Sequence, residues 1–115
     1  MHEVSLVHSL FDQADLAIVP HPRMAVRQLK VRIGELAGVD GELFRTAFDG
    51  CRAERGYDAA TLEITSEPAT WTCRRCASTV ERGEVLRCGS CDGEITLSAG
   101  AALFLDRVEL EVLDV

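Results

Sequence analysis

Apolar residues near the start of the chain recur every three or four positions. The members of this series are Val4, Val7, Phe11, Ala14 and Ile18. Side chains at this spacing share one face of an α-helix, so the series predicts a first helix over residues 4–18. Pro20 and Pro22 follow and end this helix, because proline lacks a backbone N–H and cannot extend it. His8 falls between the apolar positions and is expected to lie on a solvated face, with an auxiliary metal or partner contact as the alternative.

The pattern changes to alternation after the prolines. Leu29, Val31 and Ile33 are separated by single polar residues, which is typical of a half-buried β-strand. A second helix is predicted to begin at Asp40, because an aspartate side chain accepts the free N–H groups of a first turn, and to end by Gly56. Its predicted apolar face contains Leu43, Phe44, Ala47, Phe48 and Cys51.

Two further strands are predicted on either side of a cysteine-rich segment. Leu62 and Ile64 alternate with polar residues before Pro68, and residues 101–112 alternate with a phase shift at Asp106 and Arg107. The order helix, strand, helix, strand, cysteine segment, strand predicts an α+β fold, with two helices on a small three-stranded sheet and the cysteine segment inserted as a separate module.

Four of the five cysteines form two pairs with the spacing that is typical of metal ligands. Cys73 and Cys76 make up one CxxC sequence, Cys88 and Cys91 make up the second, and eleven residues separate them. Two such turns can bring four thiolates onto one Zn²⁺ in the tetrahedral arrangement of a zinc ribbon. Two redox CxxC motifs, an iron–sulfur site or two disulfides are the alternatives. A closed four-ligand site is structural rather than catalytic.

The expected domain boundaries follow from this insertion. Residues 1–68 together with 101–115 form the α+β domain, and residues 69–100 form the zinc-ribbon domain. A three-stranded sheet leaves two free edges, so the chain is expected to be a monomer or a weak homodimer.

Composition limits the classes of partner. The 115 residues carry a net charge of −7, which disfavours nucleic acid because such binding needs Lys and Arg to displace counterions. The inserted module has as many acids as arginines: Arg74, Arg75, Arg82, Arg87, Glu81, Glu84, Asp92 and Glu94. There is no apolar run of the roughly 18 residues that span a bilayer and no secretory leader pattern. We therefore expect a cytoplasmic protein without a membrane span and without a nucleic-acid ligand.

The first three residues offer an unusual set of nitrogen ligands. Histidine is large, so Met1 is expected to keep its place and its free α-amine ahead of His2. The His2 amide lies between that amine and the imidazole, and Glu3 adds a further amide or a carboxylate. Such a set, near-planar and rich in nitrogen, suits Ni²⁺ or Cu²⁺ better than Zn²⁺ or Mg²⁺. A terminal histidine without any metal role is the alternative.

The start MHEVSL, the small α+β domain and the CxxC insertion before the last strand together resemble the HypA/HybF family of hydrogenase nickel-incorporation proteins. The resemblance implies that Met1 (amine), His2 (imidazole and amide) and Glu3 (amide or side chain) bind nickel. It also implies that Cys73, Cys76, Cys88 and Cys91 bind structural zinc. Such proteins work with a GTPase to load nickel into the large subunit of [NiFe]-hydrogenase, and in some organisms they also serve urease maturation.

Two functional classes remain at the level of sequence. The first is a nickel metallochaperone, and the second is a zinc-ribbon adaptor or nucleic-acid-binding module without a second metal. An enzyme is not expected, since the chain has no glycine-rich phosphate loop and no nucleophile–base pair stands out by spacing.

Overall fold

The computed structural model describes residues 2–81 and 87–112 and has two helices and six strands in that part of the chain. Helix α1 spans His2–Ile18 and helix α2 spans Gly41–Cys51, and a short 3₁₀ helix covers Arg23–Ala25. The strands are β1 (Val26–Gly34), β2 (Thr61–Glu67), β3 (Thr70–Cys73), β4 (Thr79–Glu81), β5 (Ile95–Ala99) and β6 (Leu103–Leu110). They form two three-stranded sheets, ordered β2-β1-β6 and β4-β3-β5. This arrangement confirms the predicted α+β fold with an inserted cysteine module.

Both helices arise where the apolar spacing predicted them. The buried face of α1 consists of Val7, Leu10, Phe11, Ala14 and Ile18. The Asp40 side chain accepts hydrogen bonds from the N–H groups of Glu42 and Leu43, which confirms Asp40 as the N-cap of α2. Phe44 and Phe48 are the fully buried residues of α2. Val4 and Leu43, which belong to the predicted apolar faces, are instead 39% and 55% exposed.

An aromatic stack joins α1, α2 and the segment that follows α2. The ring of Phe11 lies 5.3 Å from that of Phe48 and 4.9 Å from that of Tyr57, measured between centroids. All three residues are completely buried. Near-parallel rings at this spacing gain about 0.5–1.5 kcal/mol per pair beyond the burial of their area. The stack therefore fixes α1 against α2.

The expectation that His8 lies on a solvated face was wrong. His8 is half-buried, Arg55 Nη1 lies 3.1 Å from its Nδ1, and the Cys51 Sγ lies 3.8 Å from its Nε2. Arg55 also pairs with Asp12 at 2.7 Å. These partners lie at least 43 positions away from the α1 residues that they contact, so no local pattern in α1 could indicate them.

The chain divides into two compact units. The first comprises the described residues of 1–32, 39–65 and 104–115, and the second comprises those of 33–38 and 66–103. Residues 33–38 are held within the second unit by backbone hydrogen bonds, among them Gly34 N–H to Ala102 O and Leu36 N–H to Gly100 O. The domain boundaries expected from the sequence, 1–68 with 101–115 and 69–100, stay a prediction. Neither α1 nor α2, the two α-helices of the described residues, has the length and hydropathy of a membrane span.

Candidate metal centre

The four paired cysteines converge at one end of the second sheet. Strand β3 ends at Cys73, which is the register partner of Ile95 at the start of β5. The Sγ atoms of Cys73, Cys76, Cys88 and Cys91 all lie within 4.8 Å of one another. Cys73 Sγ is 3.4 Å from Cys91 Sγ, and Cys76 Sγ is 3.7 Å from Cys88 Sγ. The predicted convergence of the two CxxC turns is confirmed.

The two turns are built in the same way. In the first, the Cys73 N–H donates to Ser78 O and the Ala77 N–H donates to Cys73 O. In the second, the Cys88 N–H donates to Gly93 O and the Asp92 N–H donates to Cys88 O. Each turn is therefore closed by the same two backbone hydrogen bonds.

Each turn also reverses direction through a left-handed residue. Ala77 has φ 62° and Asp92 has φ 58°, and each directly follows the second cysteine of its pair. Ala77 accepts the steric penalty of this region, about 1–2 kcal/mol, whereas aspartate tolerates it better because its short polar side chain can bond locally. The spacing of the cysteines predicted their meeting, but it gave no sign of this conformation.

Backbone N–H groups point at the sulfur atoms. The N–H groups of Arg75 and Cys76 lie 3.3 and 3.4 Å from Cys73 Sγ, and the Ser90 N–H lies 3.4 Å from Cys88 Sγ. The bond from the Cys76 N–H is the main reason that the pKa of Cys73 lies below its usual value. Donors of this kind stabilise a thiolate over a thiol. The turns are therefore suited to hold negatively charged sulfur.

The pKa values of the Cys76 and Cys91 thiols are shifted in opposite directions. The side chain and the backbone N–H of Ser78 lower the pKa of Cys76 to about 6. The contact with Cys73 Sγ raises the pKa of Cys91 to about 12, because two sulfur atoms this close cannot both carry a charge easily. A dication bound among the four sulfurs would remove this conflict and replace the protons.

The sulfur positions fit a tetrahedral zinc ion. Zinc–thiolate bonds of about 2.3 Å place the sulfurs of a regular tetrahedron about 3.8 Å apart, close to the separations of 3.4 and 3.7 Å within the two pairs. Cys73 and Cys88 are 2% and 4% exposed, and Trp71, Val80 and Ile95 pack against them. Four sulfur ligands and an apolar wall leave no open coordination position, which is typical of a structural site.

Gly93 is a site residue that the spacing of the cysteines did not identify. A Cβ at this position would lie 2.8 Å from Cys73 Sγ and 3.1 Å from Cys91 Sγ. Its N–H also lowers the pKa of Cys91. The glycine therefore lets the backbone pass directly beside two candidate ligands. The sequence signal for it is slight, a single glycine two residues after the last cysteine.

The arginines of the first turn, Arg74 and Arg75, are exposed. Arg75 Nη1 donates a 3.2 Å hydrogen bond to Cys91 O, and Arg74 Nη1 lies 3.9 Å from Glu94 Oε2. Arg82 and Glu84 lie outside the described residues. Arg74 therefore faces an acidic side chain, whereas Arg75 binds the backbone of the second turn.

The second predicted metal site lies at the start of α1. Met1 is outside the described residues, whereas His2 and Glu3 form the first turn of the helix. His2 Nδ1 lies 3.2 Å from Glu3 Oε2, and the two side chains are 56% and 14% exposed. Glu3 Oε2 also accepts a 3.3 Å hydrogen bond from the Asp40 N–H. That bond is the main reason that the pKa of Glu3 lies below its usual value.

Comparison with known proteins gives one consistent family. A family model described as hydrogenase/urease nickel incorporation, metallochaperone, hypA, matches residues 1–110. The hydrogenase maturation factor HypA of Syntrophus aciditrophicus is 34% identical over 113 residues, which cover 97% of this chain and 99% of that protein. The HypA of Nitrosospira multiformis is 32% identical over 112 residues, with 96% and 97% covered.

Two solved structures are also similar to this chain. A solution structure of a HypA protein matches with a TM-score of 0.77 and 25% identity over 96% of this chain and 97% of that one. The solution structure of the nickel metallochaperone HypA from Helicobacter pylori matches with a TM-score of 0.70 and 24% identity, over 94% and 96%, and supports the fold. Since the family model covers nearly the whole chain and the relatives match it over their full length, the chain belongs to the HypA family of hydrogenase/urease nickel-incorporation metallochaperones.

Proposed function

We propose that this chain captures Ni²⁺ with its first three residues and delivers it, together with a GTPase partner, to the large subunit of [NiFe]-hydrogenase in the cytoplasm. The nickel ligands are the Met1 amine, the His2 amide and imidazole, and the Glu3 amide or carboxylate. The observation that carries the proposal is the position of His2 and Glu3 in the first turn of α1. Family membership supports the same conclusion.

The backbone nitrogens of this turn are available to a metal. The first N–H groups of an α-helix have no acceptor within the helix, so deprotonation of the His2 or Glu3 amide breaks no helical hydrogen bond. The positive end of the helix dipole also lies here and favours loss of an amide proton. A nickel-binding turn can therefore form at the helix start without unwinding the buried part of α1.

The side chains of His2 and Glu3 are held together before nickel arrives. Glu3 accepts from the Asp40 N–H and contacts His2 Nδ1, so the carboxylate keeps the imidazole beside the helix start. The His2 side chain is more than half exposed. Nickel bound here stays open to incoming ligands of an acceptor, which is what a protein that releases its metal requires.

The four cysteines hold a structural Zn²⁺ in this proposal. Zinc supplies charge neutralisation and a fixed crosslink between the two CxxC turns. Four sulfur ligands fill the coordination sphere of this ion, so the site is distinct in chemistry from the exposed nitrogen set at His2. The chain is a carrier rather than an enzyme, in keeping with its family.

Nickel titration of the untagged chain, with its N-terminus verified by mass spectrometry, tests this proposal. We expect one equivalent of Ni²⁺ to bind with the absorption of square-planar d⁸ nickel. His2→Ala should abolish this signal and leave zinc unchanged. His21→Ala is the matched control, because His21 is also exposed but lies in a proline-flanked loop, and it should bind nickel normally.

A short extension ahead of Met1 is the sharper test of the free amine. It leaves every side chain in place and blocks one nitrogen, so planar nickel binding should be lost. Full nickel binding by the extended chain or by His2→Ala would contradict the proposed ligands. A wild-type chain that binds no nickel at all would favour the zinc-ribbon adaptor.

Delivery is tested separately from capture. Nickel-loaded chain is mixed with nickel-free hydrogenase large subunit, with and without the GTPase and GTP, and the metal on each protein is measured after separation. The proposal predicts transfer that depends on His2 and is accelerated by the GTPase. A parallel reaction with urease maturation factors shows whether these are also partners.

A further inference from the structure

A small apolar cavity lies beside the proposed nickel turn. Residues of both helices line its volume of about 190 Å³, namely Glu3, Val4, Leu43, Thr46 and Ala47. Val4 directly follows the proposed nickel ligands in the chain, and Glu3 belongs to both the cavity and the nickel turn. The cavity is thus continuous with the metal site.

The aliphatic side chains at this cavity are exposed although their neighbours are buried. Val4 is 39% and Leu43 is 55% exposed, whereas Val7 and Phe44 are completely buried. Adjacent exposed aliphatic groups on two packed helices leave apolar surface in contact with water, which an aliphatic side chain of a partner would cover.

The polar groups around the cavity are acidic. Thr46 donates its hydroxyl to Glu42 O within α2, so the Glu3 carboxylate is the charged group of the lining. The exposed Asp40 and Glu42 lie at the start of the same helix, and no Lys or Arg is among the residues that line this cavity. The surface therefore fits an aliphatic side chain that has basic residues next to it.

We propose that this cavity is the docking site for an aliphatic side chain on the nickel acceptor, next to its metal-entry site. The inference rests on the proposed function and adds the contact that positions the acceptor beside the nickel turn. Nickel exchange between proteins needs the incoming ligands within about 2 Å of the metal, the length of a metal–nitrogen bond. Glu3 contacts His2 and lines the cavity together with Val4 and Leu43, so an acceptor surface that reaches this turn lies next to the cavity.

The acidic groups around the cavity favour the nickel acceptor over a second copy of this chain as its occupant. Two copies would bring two acidic rims together, and each chain carries a net charge of −7. Like charges across an interface oppose association. A basic rim on the acceptor would be attracted instead, and its aliphatic side chain would fill the apolar floor formed by Val4 and Leu43.

Leu43→Gln tests the contact while keeping the helix. Leu43 is the third residue of α2 after the N-cap Asp40, and glutamine favours a helix about as well as leucine does. Glutamine adds no charge beside Glu3 and His2, and nickel titration of the variant verifies that Glu3 keeps its hydrogen bond from the Asp40 N–H. Leu16→Gln is the matched control, because Leu16 is 80% exposed on α1 and lies about 18 Å along that helix from Val4 at about 1.5 Å per residue.

Binding of the nickel-loaded chain to nickel-free hydrogenase large subunit is measured by biolayer interferometry. Leu43→Gln should weaken the complex by about tenfold or more, as expected for a central apolar contact, and should not change nickel affinity. Leu16→Gln should match the wild type. Val4→Thr, which keeps the shape but adds a hydroxyl, should weaken the complex in the same direction as Leu43→Gln.

The inference is overturned if Leu43→Gln binds the large subunit like the wild type, or if Leu16→Gln weakens binding equally. It is also overturned if Leu43→Gln lowers only self-association in sedimentation velocity, or only binding to the GTPase. Failure of the proposed function is seen separately in the same samples, because the wild-type chain would then bind no nickel through His2.

Discussion

The Tyr57 hydroxyl donates a 2.6 Å hydrogen bond to Asp15 Oδ1. The ring of Tyr57 is completely buried against Phe11, so its hydroxyl needs a partner at the edge of the core. Asp15 also accepts two hydrogen bonds from Arg23, at 2.9 and 2.8 Å. One carboxylate thereby links the end of α1 to the loop that precedes β1 and to the segment after α2.

This carboxylate should make the stability of the first unit depend on pH. Partial burial raises the pKa of Asp15, but hydrogen bonds from Tyr57 and Arg23 and the charges of Arg23 and Arg55 outweigh it, so the pKa lies below 3.8. Because the folded state lowers this pKa, its contribution is complete above the unfolded value and is lost as pH falls through the folded one. We expect Asp15→Asn to lower the free energy of unfolding by about 1–3 kcal/mol at pH 7.

The measurement is chemical unfolding of wild type and Asp15→Asn at several pH values, followed by the far-ultraviolet circular dichroism of helices α1 and α2. The difference between the two proteins should be constant above about pH 5 and shrink below about pH 4. Tyr57→Phe should cost about 1 kcal/mol, again independent of pH in the neutral range. A difference in the free energy of unfolding between wild type and Asp15→Asn that grows as the pH falls would contradict this account.

Gly93 should be more sensitive to substitution than Gly89. A Cβ on Gly93 would lie 2.8 Å from Cys73 Sγ, while nothing lies within 4 Å of one on Gly89. Overpacking of this kind costs about 1–3 kcal/mol, which corresponds to about a 5- to 150-fold loss of zinc affinity. Competition with a chromophoric chelator should therefore show weaker zinc binding by Gly93→Ala and near-normal binding by Gly89→Ala. Equal affinities for the two variants would show that the backbone beside Cys73 can move away.

Much of the first unit could be predicted because its elements are locally patterned. The spacing of Val7, Phe11 and Ile18 already defines the buried face of α1, and Asp40 marks the start of α2. The last strand was predicted over residues 101–112 and spans Leu103–Leu110. Its predicted phase shift is confirmed, since Asp106 and Arg107 are both exposed.

The features that could not be predicted depend on contacts between residues that are distant in sequence. Nothing near residues 33–38 indicates that they join the second unit, because their partners are Glu67, Gly100 and Ala102. In the candidate site, each CxxC pair could be recognised from the sequence because its two cysteines are only three positions apart. Two such pairs predict that four sulfur atoms meet. The need for glycine at 93 depends on Cys73, twenty positions away, and could not be read from that spacing.

Loss of one paired cysteine should remove zinc, whereas loss of Cys51 should not. Cys88→Ser replaces a thiolate by a hydroxyl that stays protonated at neutral pH, and the remaining three sulfurs no longer close the site. Changes to groups that merely support a ligand cost about 10–100-fold in affinity, so loss of the ligand should cost more. Zinc per chain, measured by inductively coupled plasma mass spectrometry after dialysis, should fall from one to near zero in Cys88→Ser. Cys51→Ser should keep one zinc, and loss of zinc from that variant would contradict the assignment of the four ligands.

Gly34→Ala should loosen the second unit where two backbone segments cross. A Cβ on Gly34 would clash with the carbonyl carbon and oxygen of Gly100, so one segment must shift, at a cost of about 1–3 kcal/mol. The hydrogen bonds from Gly34 N–H to Ala102 O and from Leu36 N–H to Gly100 O should weaken with it. Hydrogen exchange detected by NMR should show faster exchange at residues 34 and 36 in Gly34→Ala. Gly41→Ala is the control, because nothing lies within 4 Å of a Cβ there and Gly41 opens α2, where alanine favours the helix. Protection at residues 34 and 36 that is equal in the two variants would mean that the crossing does not hold this segment in place.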